Sequence, residues 1–207
     1  MKRSYIEESF DEMAREASAD RADALVRKMQ ERLSVLRREN ADASKERMRH
    51  LESQILPSIA AYETLQDVMP KEEAFLAIHA CVESNAWKKR KGFERLMRIP
   101  GMYRLMPWVF AKGTRTSFNE AAGFEADEIQ VDNGVWRIDM TKCPYYDICG
   151  AYGCPELCGC FCDSDDICYA GLHPKLIWHR TKTLGRGGDC CDFSLRIEGR
   201  FRNGKPS

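Results

Sequence analysis

The chain has 207 residues, 43% of them hydrophobic, long enough for one substantial domain that buries roughly 70% of the surface its unfolded form would expose. Lys plus Arg and Asp plus Glu balance at 32 each, so net charge gives no footprint for nucleic acid or an anionic membrane and leaves a small neutral or zwitterionic ligand open. No stretch approaches the ~18 consecutive apolar residues of a membrane span, and the start Met1-Lys2-Arg3-Ser4-Tyr5-Ile6-Glu7-Glu8 turns acidic where a signal peptide is apolar. A cytosolic protein is expected, in which the ten cysteines serve as thiols, metal ligands or catalytic groups rather than disulfides.

In chain order, Leu25, Met29, Leu33 and Leu36 recur at helical spacing within residues 20–39 and predict an amphipathic helix with one buried stripe. A second stripe, Met48, Leu51, Ile55, Ile59, Tyr62 and Leu65, runs through Pro57, so the helix is expected to kink or restart there. These charged helices are compatible with a homodimer. Pro70 followed by Glu72 and Glu73 predicts another helix start, with Ala74, Phe75, Ile78 and Val82 as its buried face. The run Trp87-Lys88-Lys89-Arg90-Lys91 reads as a solvated helix end rather than a phosphate contact. Residues 101–113 are the most apolar stretch and are broken by Pro107; core or a lid over a ligand is expected there. A short helical piece is expected at Phe118 to Ala122.

The pattern then changes to period two. Ile129 and Val131, the turn Asp132-Asn133-Gly134, and Trp136, Ile138 and Met140 predict a hairpin, ended by Pro144 after Cys143. Pro155-Glu156 predicts a helix to about Ala170, closed by Gly171, with Cys158, Cys162, Asp165 and Tyr169 on one face. Leu176, Trp178 and Arg180 alternate as a further strand, and a glycine turn leads to a last one with Cys191, Phe193, Leu195 and Ile197 inward and Cys190 outward. The predicted class is α+β, a helical N-terminal half (1–125) packed on a small antiparallel sheet with an inserted helix (126–201), together one domain, then a polar tail (202–207).

Nine of the ten cysteines fall within or beside the motifs Cys143-Pro144-Tyr145, Cys162-Asp163-Ser164-Asp165, Arg180-Thr181-Lys182-Thr183-Leu184 and Gly187-Gly188-Asp189-Cys190-Cys191-Asp192-Phe193. In this order, with Gly171 between and Leu56-Pro57 and Tyr62 upstream, they resemble the L-2-amino-thiazoline-4-carboxylic acid hydrolase family. The resemblance implies hydrolysis at the cyclic amidine carbon of a thiazoline ring, opening it to an N-carbamoyl-L-cysteine-like product. The cysteines at 149, 154, 158, 160, 168 and 190 are surplus to the pattern.

Such chemistry needs attack at an sp² carbon, charge stabilisation and departure of a thiolate. Two routes stay open: a thiolate from Cys143, Cys162 or Cys191 attacks after its pKa is lowered, or a carboxylate, Asp165 or Asp189, or a metal activates water. Arg180 is the expected holder of a substrate carboxylate, unless it pairs structurally with Asp165 or Asp189. The neighbouring Thr181 and Thr183 are expected to face substrate, and Gly187 and Gly188 to offer backbone N–H groups to developing negative charge. No cofactor is required by this reading. The alternative, convergence of Cys143, Cys162 and Cys191 on zinc, belongs with a second class of function, a metal- or small-molecule-binding sensor without turnover. His173, expected to be exposed, and His179 stand outside the motifs.

Overall fold

The computed structural model describes residues 3–132 and 134–199, and these form an α+β fold with eight α-helices and one four-stranded sheet. The tail 202–207 lies outside the described residues. The chain divides into two compact units, residues 1–85 with 144–161 and residues 86–143 with 162–207. The divisions therefore fall at 85, 143 and 161, and not at the expected boundary near 125.

The first unit is helical. Helix α1 (Tyr5–Ala17) begins at a capping box in which the Glu7 N–H donates to Ser4 Oγ at 3.2 Å and the Ser4 N–H to Glu7 Oε2 at 2.8 Å, satisfying two otherwise orphaned donors. Helix α2 (Ala22–Glu39) buries the expected stripe of Leu25, Met29, Leu33 and Leu36. The Pro57 stripe becomes α3 (Lys45–His50), a π-helical segment Leu51–Ile55, and α4 (Leu56–Leu65). A proline ring clashes with the carbonyl four residues earlier. For Pro57 that residue is Ser53, inside the π segment, where the usual ladder is already widened; the helix restarts with Pro57 in its first turn. Helix α4 is buried at every position except Glu63, as befits a helix apolar on all sides.

Pro144 ends the second strand as expected but also opens α7 (Pro144–Ala151), a helix the sequence reading did not anticipate; proline at a first helical position surrenders only an N–H that has no partner there. From α7, Tyr145 Oη receives Gln54 Nε2–H at 2.7 Å and stands 3.2 Å from His50 Nδ1, so the π segment and α7 share one polar relay. Helix α8 (Leu157–Tyr169) starts two residues after Pro155 and is closed by Gly171 at φ 69°.

The second unit holds the sheet. Strands β1 (Glu125–Val131), β2 (Val135–Lys142), β3 (Leu176–His179) and β4 (Cys191–Ile197) lie in the order β1-β2-β4-β3, every neighbour antiparallel. The predicted hairpin turn is fixed by Asp132, whose Oδ1 accepts the N–H groups of Gly134 and Val135 at 2.7 and 2.9 Å; Asn133 and the Ile129 side chain lie outside the described residues. Trp136 stands opposite Leu195 and Ile138 opposite Phe193; Trp136, Ile138, Met140, Cys191, Leu195 and Ile197 are buried as the alternation required, while Phe193, expected inward with them, is half-buried. Cys190, expected to point outward, is buried as well: it precedes β4, so the alternation of the strand does not govern it.

Helix α6 (Met106–Ser117) follows a 3₁₀ turn at Met102–Leu105. It is only half core. Met106, Pro107 and Ala111 are buried while Leu105, Trp108 and Val109 face solvent, so the stretch expected as core or a lid is an amphipathic helix with only one face in the core. The piece expected at Phe118 to Ala122 is a single 3₁₀ turn, Glu120–Ala122. His173 is half-buried rather than exposed, its ring stacked on Tyr103 with centroids 4.3 Å apart.

Helix α5 (Lys71–Met97) starts where Pro70 predicted and buries Ala74, Ile78 and Val82, with Phe75 half-buried. It also continues through the basic run 87–91, which is therefore mid-helix and not a helix end. Within that run Arg90 caps another helix. Its Nη1 donates to the carbonyls of Ile167 and Ala170, both at 2.7 Å, satisfying orphaned acceptors at the C-terminal end of α8. Arg90→Ala is expected to lower unfolding free energy by about 1–2 kcal/mol, two charge-assisted hydrogen bonds being lost, one to the part-buried Ile167 carbonyl and one to the exposed Ala170 carbonyl; urea denaturation that shows the variant within about 0.5 kcal/mol of wild type would remove this role.

Candidate active site around Asp165

The site is built where α8 meets the end of β3, within the second unit. Alternation along β3 puts Trp178 and Arg180 on one side of the chain, and one carboxylate on α8 receives both. Trp178 Nε1–H donates to Asp166 Oδ1 at 2.8 Å and Arg180 Nη2–H to Asp166 Oδ2 at 2.5 Å. The same guanidinium donates through Nη1 and Nη2 to the Cys162 carbonyl, each at 3.2 Å, and lies over the Phe193 ring, 5.5 Å from its centroid.

Arg180, expected to hold a substrate carboxylate, is bonded to protein groups in this structure. Its side chain is 4% exposed and its fork is committed to Asp166 and a helix carbonyl, so it braces α8 against the end of β3. Its partner is neither Asp165 nor Asp189. Adjacent helical residues point about 100° apart, and Asp166, not Asp165, faces β3.

Asp165 acts on Tyr169 instead. Tyr169, one turn on, packs against Phe110 and Trp178 with ring centroids 4.8 and 5.1 Å apart, and Phe110 reaches Trp136 at 5.2 Å. Part of Asp165 keeps contact with solvent, yet protein atoms crowd its carboxyl closely. Burial pushes it up to about 7, opposed by the charges of Arg180 and Lys89 and assisted by Asp166. The Tyr169 hydroxyl is driven upward mainly by burial, with Asp165 adding to the effect.

Cys191 stands near the same group. Burial pushes its thiol up to about 11, with the Leu184 N–H and Arg180 pulling the other way and Cys162 and Asp165 adding to the rise. Its Sγ accepts the Leu184 N–H at 3.2 Å. Cys162, Asp165, Arg180 and Cys191 are therefore brought together as the motifs suggested.

The remaining expected residues have other partners. Asp189 is exposed and paired with Lys182, which holds its carboxyl below the usual carboxylate range. Thr181 gives its N–H and its hydroxyl to Asp192 at 2.8 and 2.5 Å. Thr183 is buried, and its Oγ1 finds no hydrogen-bond partner among the described residues. The N–H groups of Gly187 and Gly188 do not point at an anion, since they donate to the carbonyls of Leu184 and Thr183 at 3.1 and 2.9 Å. Gly188 is needed for space: a Cβ there would lie 2.9 Å from the Thr183 carbonyl oxygen and 3.1 Å from that of Cys190. Among the described residues no three His, Cys, Asp or Glu side chains gather so as to hold a metal ion, so Cys143, Cys162 and Cys191 do not form the three-thiolate set.

The sequence reading did not single out Asp166 or Asp192. The signal for Asp166 was the same-face pair Trp178 and Arg180, two donors that need one acceptor. For Asp192 it was the polar loop before β4, whose backbone needs a carboxylate once its glycines turn it back on itself.

Two outcomes are expected. Gly188→Ala should lose about 1–3 kcal/mol of unfolding free energy, because both crowding atoms are backbone, read as a lower urea midpoint at unchanged slope. Asp165 carries a folded-state pKa raised from 3.8 to about 7, so the folded chain holds a proton that the unfolded chain has released. The stability this adds is complete below about pH 4 and is lost as pH rises through 7, at a slope of at most about 1.4 kcal/mol per pH unit and less because the group is partly open to solvent. Asp165→Asn should therefore gain on wild type steadily between pH 5 and 8 in urea unfolding; parallel curves would contradict it.

The sequence model described as L-2-amino-thiazoline-4-carboxylic acid hydrolase matches residues 47–195, more than half of the chain and all of the site. No curated protein and no solved structure matches. Among the described residues no helix is long and apolar enough to cross a membrane. The motifs around Asp165 and the extent of this match place the chain in the L-2-amino-thiazoline-4-carboxylic acid hydrolase family.

Proposed function

We propose that the protein is a hydrolase that opens a small cyclic amidine of the L-2-amino-thiazoline-4-carboxylate type, with Asp165 moving the protons. What supports this reading is the Asp165 carboxyl, which burial pushes up to about 7 and which lies one helical turn from Tyr169. A group with that pKa is divided between acid and base at neutral pH, which suits it both to take and to return a proton. The thiolate route is weaker at Cys191, because a thiol pushed up to about 11 is almost wholly protonated near pH 7.

In the reaction, ionised Asp165 takes a proton from water as the water oxygen bonds to the ring carbon between sulfur and the two nitrogens. That proton passes to the ring nitrogen and leaves a tetrahedral centre. The centre collapses with cleavage of the carbon–sulfur bond, the electron pair leaving on sulfur. The proton of the new hydroxyl follows through Asp165 to the sulfur, and the product is an N-carbamoyl-L-cysteine-like urea. Metal-free turnover is part of this proposal.

The test is ring opening by the reduced, folded protein, followed by mass spectrometry as the gain of one water. Since the base form acts, kcat/KM should rise with pH through about 7, and Asp165→Asn should lower kcat by about 100-fold or more and remove that inflection. Cys162→Ala and Cys191→Ala, if folded, should keep turnover. A covalent adduct on either thiol, with loss of activity in the matching variant, would replace Asp165-activated water by a cysteine nucleophile.

A further inference from the structure

Helix α6 is anchored on one side and apolar on the other as well. Met106, Pro107 and Ala111 are buried, and the Phe110 ring meets Tyr169 and Trp136 with centroids 4.8 and 5.2 Å apart, so contacts within the second unit fix the rotation of the helix. That rotation turns to solvent Leu105 at 54% exposure, Trp108 at 60%, Val109 at 38% and the exposed Lys112. Their spacing of i, i+3, i+4 and i+7 makes them one continuous stripe. Single exposed apolar side chains are ordinary, but three neighbours on one helix face, one of them an indole, mark a surface that meets something.

The charge around the stripe has one sign. Residues 95–117 hold Arg95, Arg98, Arg104, Lys112 and Arg115 and no Asp or Glu, an excess that the balanced net charge of the whole chain conceals. All five cations are exposed, and Arg115 is answered by Glu128 at 2.6 Å. Lys112 Nζ stands 5.3 Å from the centroid of the Trp108 ring, and the Arg104 guanidinium stands 5.7 Å from that of Tyr103. Cations therefore flank the stripe at both ends.

We infer that this stripe docks the protein on an anionic lipid surface, with Trp108, Leu105 and Val109 entering the headgroup layer while Arg104, Lys112, Arg95 and Arg98 meet lipid phosphates. The inference stands apart from the hydrolase reading. Charge and shape select the occupant. A second copy of the chain placed stripe to stripe would set Arg104 and Lys112 against their like. The stripe is also a ridge, which a folded partner meets only with a groove of matching shape, whereas a fluid headgroup layer deforms around it. The long stems of Lys112 and Arg104 can lie along apolar surface and keep their charges at the phosphates. Because the other side of α6 is held in the core, only its outward side chains can enter, and the binding is peripheral and reversible.

The test sediments the full chain with extruded vesicles of phosphatidylcholine, alone or mixed equally with phosphatidylglycerol. Wild type should bind the mixed vesicles about 10-fold or more tightly than phosphatidylcholine, by a factor that falls as salt rises, and its tryptophan emission should shift to the blue on binding. Trp108→Ser and Leu105→Gln, both at exposed positions, should keep the wild-type urea midpoint and lose about 10-fold in binding; Trp108→Ser should also remove the emission shift. Arg104→Glu combined with Lys112→Glu should abolish the preference for the mixed vesicles. Binding to neither vesicle overturns the inference, and so does equal binding to both, or binding that the folded Trp108→Ser and Leu105→Gln variants retain in full. A dimer in sedimentation velocity that Trp108→Ser abolishes, in a chain that ignores vesicles, assigns the stripe to a second copy instead.

Discussion

A single carboxylate sets the geometry of the site. Asp166 accepts the Trp178 indole on one oxygen and the Arg180 guanidinium on the other, so one residue of α8 is tied to Trp178 of β3 and to Arg180 just past its end. Arg180 then reaches back to the Cys162 carbonyl, one turn earlier on α8. This fixes the rotation of the helix about its own axis. With Asp166 turned to the strand, Asp165 points about 100° round the helix from it, and its charge acts on Tyr169 one turn on. The same pairing answers the charge of Arg180. Arg180 still pulls Asp165 down, more than the charge of Asp166 pushes it up, and burial outweighs both.

The loop between β3 and β4 follows similar logic with different atoms. Asp192, at the second position of β4, accepts the N–H groups of Thr181 and Lys182, both at 2.8 Å, and the Thr181 hydroxyl. Cys191 accepts the Leu184 N–H. Successive side chains at the start of one strand thus hold the loop by its backbone, and Gly187 at φ 80° with the crowded Gly188 allows it to turn. The run Gly187-Gly188-Asp189-Cys190-Cys191-Asp192 is in this light mainly a device for shaping a loop. The motif is specific because each residue meets a separate steric or hydrogen-bonding demand, and reactivity at every polar group is not required for that.

Much of this architecture was legible in the sequence. The stripes of α2 and α4, the hairpin, the late helix with Cys162 and Asp165 on one face and the inward residues of β4 all follow from periodicity, which burial enforces position by position. The misses share a cause, namely contacts that connect residues far apart in the chain. Arg90 looked like solvated charge because nothing local announces that the end of α8 needs its carbonyls capped. Arg180 looked like a substrate clamp because its two acceptors lie on another element. Helix α1 and α7 are different: Ser4 and Glu7 form a capping box, and Pro144 is an acceptable first helical residue, so both starts were written in local sequence and went unread. The chemistry was legible to the level of the family and of Asp165 as a candidate, while the choice between Asp165 and Asp189 needed burial, which one has and the other, 80% exposed along its side chain, lacks.

The cysteines illustrate how residue count and chemical capacity separate. Seven of the ten, Cys149, Cys154, Cys158, Cys160, Cys168, Cys190 and Cys191, are buried, the usual fate of a side chain that behaves as a small hydrophobe. Burial that makes a thiol useful for packing also makes its anion costly, and Cys168 and Cys191 are both pushed up to about 11. A protonated thiol packs, and accepts or donates a weak hydrogen bond, as Cys168 and Cys191 do, but it attacks carbon slowly. Applied to a carboxyl, the same desolvation has the opposite value. It moves Asp165 from a group that is always ionised at neutral pH to one that exchanges its proton there. One physical cause therefore raises the thiols of Cys168 and Cys191 and the carboxyl of Asp165 alike.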